Sequence, residues 1–181
     1  MGDHYSYIVP QKVAKTEAPA IANKFANYLI NRNIILADKT DCVLSEKLGY
    51  PPSENYGEVF EYPDENIFHL RTNGFGITIG RGPYFSNELD EINCPNCATD
   101  IMELEWGDAI TEWMNETGKD KIECPGCRQI NSIDDFVYEP FGAFGEVGFT
   151  FWNWGAEFKE SFIHDIETLL GYQVKIVYGK I

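Results

Sequence analysis

Two stretches of this chain, "INCPNCATD" from Ile92 and "IECPGCRQI" from Ile122, share a Cys-Pro-x-Cys core, with 26 residues between Cys97 and Cys124. That repetition restricts the fold more than any other feature. Each short turn sets two sulfurs on one side and aims backbone N–H groups at them, which stabilises the thiolates that a divalent metal requires. Two such turns facing each other close a tetrahedron of sulfur. Pro95 and Pro125 stiffen the turns, and Gly126 is expected to supply the unusual backbone angles of the second. In a chain without secretory features, paired spacing of this kind favours a metal over disulfides. The candidate ligands are Cys94, Cys97, Cys124 and Cys127.

At these residues the sequence resembles a zinc ribbon and, more distantly, the iron site of rubredoxin. The resemblance spans residues 92–139 and no more. It implies a structural zinc held by four cysteines, with iron as the second choice. One departure is "MELEWGDAITEWMNETG", where Trp106, Ile110, Trp113 and Met114 recur at helical spacing. This predicts a helix between the knuckles, closed by Gly118, where many ribbons use plain strands. With cysteine at all four positions, no coordination site stays open for water, which marks a structural rather than a catalytic ion. Such a site contributes on the order of 10 kcal/mol to the folding of its module.

Charge narrows the partners. The formal net charge is −15, and residues 92–139 hold eleven acids against three bases. A surface of this sign repels phosphate backbones, so nucleic acid is not an expected partner. A basic protein partner is expected instead, with Glu103, Glu105, Asp108, Glu112 and Glu116 as candidate contacts. A solvated acidic surface that serves solubility is the plainer explanation. No apolar run approaches the roughly 20 residues of a membrane span, and "MGDHYSYIVP" lacks the basic and apolar regions of a secretory signal. A cytoplasmic setting, away from membranes, is the expectation. Gly2 and Ser6 match a loose myristoylation pattern too short to carry weight.

Hydrophobic residues make up 44% of the chain, enough for one ordinary core. "HYSYIVP" reads as a strand. A helix follows, capped at Thr16, with Pro19 in its first turn and Ile21, Phe25 and Leu29 on one stripe. Asn73-Gly74 predicts a tight hairpin within "IFHLRTNGFGITIG". Its glycines match neither phosphate-loop spacing. "EVGFTFWNWG" reads as an aromatic strand, "AEFKESFIHDIETLLG" as a helix stopped by Gly171, and "YQVKIVYGK" as a last strand. The expected class is α+β: a mostly antiparallel sheet packed by two helices, formed by residues 1–91 and 140–181, with the four-cysteine ribbon at 92–139 as an insert.

Trp152 and Trp154, two apart on the aromatic strand, should share the face opposite Phe149 and Phe151, covered by the ribbon or free to anchor a partner. Cys42, without an activating base nearby in sequence, reads as a small buried apolar residue. His164, with Glu160 and Glu167, could share a helix face and hold a metal, although an ordinary solvated face is commoner. No catalytic triad or carboxylate pair is visible. The leading expectation is a non-enzymatic zinc protein with an acidic face for a cationic protein, comparable in size and charge to acidic immunity proteins of toxin–immunity systems. An enzyme site between the glycine-rich segment and the Trp strand, using His69, Arg71, Arg81 or His164, is the alternative. Iron-based electron transfer is third.

Overall fold

The chain is α+β. A computed structural model describes residues 2–45, 47–87 and 89–181. In chain order the elements are β1 (His4–Pro10), α1 (Ala18–Asn31), β2 (Phe60–Pro63), β3 (Phe75–Phe85), β4 (Glu91–Asn93), α2 (Trp106–Met114), β5 (Lys121–Glu123), β6 (Ile130–Ser132), β7 (Val137–Glu139), β8 (Gly142–Trp152), β9 (Gly155–Phe158), α3 (Glu160–Leu170) and β10 (Val174–Lys180).

The main sheet runs β10-β1-β8-β3, and all its pairs are antiparallel. Register sets Ile176, Ile8, Phe149 and Ile77 side by side across it, and Tyr178, Ser6, Phe151 and Phe75 in a second row on the same face. Both helices cover that face. Phe25 of α1 meets Phe149 and Phe75 edge-on at 4.6 and 5.7 Å, and Phe162 and Ile166 of α3 join the same buried cluster. Aromatic edges packed this way add to the burial of apolar surface that holds the layers together. The small β2–β9 ladder closes one end, with Phe60 stacked on Phe158 at 4.3 Å.

A second cluster lies beyond the sheet. Ile92, Ile101, Ile110, Trp113, Ile133, Phe136 and Tyr138 pack with Cys94 and Cys124, and Phe144 of β8 reaches into them. β3 and β8 stay paired as far as Phe85↔Gly142, and the chain then passes into the short β4–β7 ladder. The expected helix between the knuckles is present as α2, but it ends at Met114 with Asn115 at its C-cap and a left-handed Glu116 (φ +56°) after it, so Gly118 (φ +75°) lies beyond the helix and does not close it.

Several expectations are corrected. Asn73-Gly74 is not a hairpin turn: Ile67–His69 is a 3-10 turn, and β3 pairs with β8 instead. The N–H groups of Asn73 and Gly74 both donate to the Cys42 carbonyl, at 3.0 and 2.7 Å. Gly74 answers to space rather than to backbone angle, because a Cβ there would lie 2.2 Å from Cys42 Sγ. The first helix starts at Ala18 with Glu17 at its cap, and no side chain caps it, so Thr16 has no such part. The last helix starts at Glu160, because Gly155–Phe158 pairs with β2; it stops at Gly171, φ +80°, as expected.

Truncating the residue that joins helix to sheet should be costly. Phe25→Ala is expected to lower the unfolding free energy by about 3–5 kcal/mol, read from denaturant titration.

Candidate metal centre

The two knuckles have the same backbone. In the first, Cys94 N–H donates to Thr99 O and Ala98 N–H to Cys94 O, both at 2.9 Å; in the second, Cys124 N–H donates to Gln129 O and Arg128 N–H to Cys124 O, again at 2.9 Å. Ala98 (φ +57°) and Arg128 (φ +62°) supply the left-handed step. The conformational burden assigned to Gly126 thus falls on two non-glycine residues. Gly126 is needed for a different reason: a Cβ there would sit 2.1 Å from Thr99 Oγ1 and 3.4 Å from Cys97 Sγ, so a side chain would push the knuckles apart.

The four thiols converge. Cys94, Cys97, Cys124 and Cys127 place their sulfurs within 4.8 Å of one another. Cys94 Sγ lies 3.8 Å from Cys127 Sγ, and Cys97 Sγ lies 3.5 Å from Cys124 Sγ. An ion bound by sulfur at about 2.3 Å in a tetrahedron holds its ligands about 3.8 Å apart, so the donor set fits a tetrahedral metal in chemistry and in size. Cys94 and Cys124 are buried, while Cys97 is exposed.

Neighbouring groups already favour thiolate at part of the site. Cys97 is lowered to about 6 by the Thr99 hydroxyl, 3.2 Å from its sulfur, and by the Thr99 N–H. Burial works to raise Cys94, but the N–H groups of Asn96 and Cys97 and the adjacent thiols outweigh it and its pKa falls. At Cys127 the Gln129 N–H works downward, yet burial and the three other sulfurs raise it to about 12. These opposite shifts come from one crowded cluster, in which the first ionisation opposes the later ones. Asn96 and Asn131 bond to each other at 3.0 Å and each points an amide nitrogen at Cys94 Sγ, 4.0 and 3.9 Å away, tying the two turns together. Sequence reading missed Thr99, Asn96 and Asn131, which carry no signature beyond their closeness to the repeat.

The other predicted residues are dispersed. Glu103, Glu105 and Asp108 are exposed around the start of α2. Glu112 is half-buried and accepts a hydrogen bond from the Thr117 hydroxyl. Glu116 pairs with Lys15 at 2.8 Å and with Arg81 at 3.5 Å, so its charge is engaged within the molecule. Trp152 and Trp154 do not share a face. Asn153 turns left-handed (φ +61°) immediately after β8, which leaves Trp152 beside Tyr5, Cys42 and Val43 and carries Trp154 into the main core. There Trp154 is 1% exposed and its indole N–H donates to Asn73 O at 2.8 Å. Neither ring is covered by the cysteine module and neither stands free as an anchor. Cys42 is buried, as expected.

Arg81 shows what the glycine-rich stretch is for. A register shift between Ile79 and Gly82, with Gly80 at φ +116°, bulges β3 around it. Bulges re-aim side chains. The guanidinium donates to Glu146 Oε1 and to Trp113 O, both at 2.8 Å, and lies 4.6 Å from the Trp113 ring centre. It therefore joins the sheet to α2. His69 is exposed on its 3-10 turn, Arg71 pairs with Asp41 at 3.3 Å, and His164 is exposed on α3. Glu167 accepts the Val174 N–H at 3.0 Å, and among the described residues the four cysteines alone form a metal-binding group.

No family model, curated protein or solved structure matches this chain.

Binding must displace thiol protons, so protons and metal compete. Acid is expected to release the ion, followed by metal-indicator titration. In the metal-free chain the depressed Cys97 pKa favours the fold as pH rises from about 6 into the ordinary thiol range, whereas the raised Cys127 pKa opposes it above that range. Gly126→Ala should weaken metal retention at least about tenfold in chelator competition, and Cys124→Ser should disorder the surrounding cluster, read from Trp106 and Trp113 emission.

Proposed function

We propose that this chain is a non-enzymatic binding protein in which a structural zinc ion organises an acidic appendage for a cationic protein partner. The observation that carries this reading is the closed set of four converging thiols, which leaves a bound ion no position for substrate or water. The cluster built on those sulfurs positions α2. Around its start Glu103, Glu105 and Asp108 are exposed and, among the described residues, form no ion pair. A helix N-terminus favours acids in its own right, so the experiment has to separate that role from partner attraction. Zinc bound by four thiolates adds further negative charge. The partner class is that of a basic protein, as in toxin–immunity pairs of similar size and charge.

Zinc is the assigned ion because a closed, redox-silent site matches a structural part. The same sulfurs suit iron, and a red preparation holding iron instead of zinc by elemental analysis would move the reading to electron transfer. An enzymatic reading has less support. Of its four polar candidates only Arg81 lines the groove between β3 and the loop beside it, and its guanidinium is engaged by Glu146 and Trp113.

The immobilised chain should capture a basic protein at low salt and release it as salt rises. Reversing Glu103, Glu105 and Asp108 together to lysine should slow association about tenfold or more without altering metal content. Capture of acidic or neutral partners only, insensitive to salt, would count against the proposal, as would an unchanged association rate.

A further inference from the structure

Holding an ion is one use of four converging thiols and reaction with an oxidant is another, and toward an oxidant these sulfurs are not equivalent. Cys97 is exposed and Cys127 half-buried, whereas Cys94 and Cys124 are 2% and 0% exposed. A small oxidant arriving from solvent therefore meets Cys97 first. The sulfur in contact with Cys97 is that of Cys124, at 3.5 Å, while Cys94 stands against Cys127 at 3.8 Å. Both contacts run from one turn to the other rather than within a turn.

Groups of the chain itself hold this juxtaposition. Asn96 and Asn131 bridge the two turns by a hydrogen bond of 3.0 Å. Gly126 lets the second turn close on the first, since a Cβ there would lie 3.4 Å from Cys97 Sγ and 2.1 Å from Thr99 Oγ1. A disulfide sets its sulfurs about 2.05 Å apart, which leaves about 1.5 Å for this pair to close. Cysteines that sense oxidants share two properties, an accessible thiolate and a second thiol poised to resolve the oxidised form. A zinc ion, when bound, has no redox chemistry of its own and keeps its ligands as thiolates, the form that reacts.

We propose that Cys97 is a site of reversible oxidation by hydroperoxides, resolved by Cys124, so that the centre exchanges metal ligation for a disulfide between its two turns. The Cys97 thiolate attacks the peroxide: an S–O bond forms, the O–O bond breaks and hydroxide leaves. Sulfur gives up two electrons and the peroxide takes them. The Cys124 thiolate then displaces hydroxide from the Cys97 sulfur, forming S–S and breaking S–O. Two thiolates and one hydrogen peroxide thus become one disulfide and two hydroxides, which solvent protonates to water. Neither sulfur of the disulfide keeps the charge that a metal requires, so two of four ligands are withdrawn together.

Metal content measured before the oxidant is added tests the zinc reading above, on which this one rests; the thiol map afterwards tests the switch. The full, zinc-loaded chain is treated with hydrogen peroxide beside a metal indicator, and its cysteines are mapped by mass spectrometry without reduction. Two of the five thiols should be lost together as a Cys97–Cys124 link, with release of the ion. Dithiothreitol and added zinc should then restore all five thiols and the bound metal. With dimedone present, which traps sulfenic acid, the first label should fall on Cys97. Cys42→Ala should change neither result, because that buried cysteine stands outside the group of four. A link within either Cys-Pro-x-Cys turn, a link between two chains, a first label on another cysteine, sulfinic acid at Cys97 without a disulfide, or five thiols that survive the peroxide would overturn the proposal.

Discussion

Four sulfurs gathered within 4.8 Å cannot all carry charge unless a cation stands among them. The metal-free cluster shows the conflict directly, with Cys97 drawn down to about 6 and Cys127 driven up to about 12. A divalent ion removes it by replacing the competing protons. Cys94 and Cys124 are also members of the hydrophobic cluster that contains Ile92, Trp113 and Phe136, so sulfur chemistry and apolar packing share residues there. With so few apolar side chains, a bound ion would supply a large part of that cluster's order.

The rest of the molecule stands on conventional grounds. Helices α1 and α3 bury one face of a four-stranded antiparallel sheet through a network of phenylalanines. What links this body to the cysteine end is the pair β3 and β8, continued by β4 and β7, together with Arg81. That arginine bonds Glu146 on the sheet and the Trp113 carbonyl on α2 while stacking on the Trp113 ring. Arginine suits the position because a planar fork can bond in the plane and stack above it at once.

Some of this was legible in the residue order and some was not. Paired cysteines and the Gly171 stop are local signals, each read at its true place, and the α2 stripe holds at Ile110 and Trp113 while Met114 stands exposed. Asn73-Gly74 misled because the same dipeptide that makes a hairpin turn also permits close approach to Cys42, and only the fold decides between those uses. The two tryptophans misled because alternation along a strand was extended one residue past its end, where the left-handed Asn153 cancels it. The role of Arg81 depends on a bulge and on Glu146, 65 residues away, and no local pattern carries such a pairing.

The bulge has a mechanical consequence as well. A ladder of backbone bonds opened from its cysteine end would part rung by rung through Phe85, Tyr84 and Pro83 until it met the break in register between Ile79 and Gly82. A zipper with a missing tooth tends to stop there. A cysteine end left without a metal would then loosen the far end of β3 and β8 while the stretch beneath the two helices remains fastened.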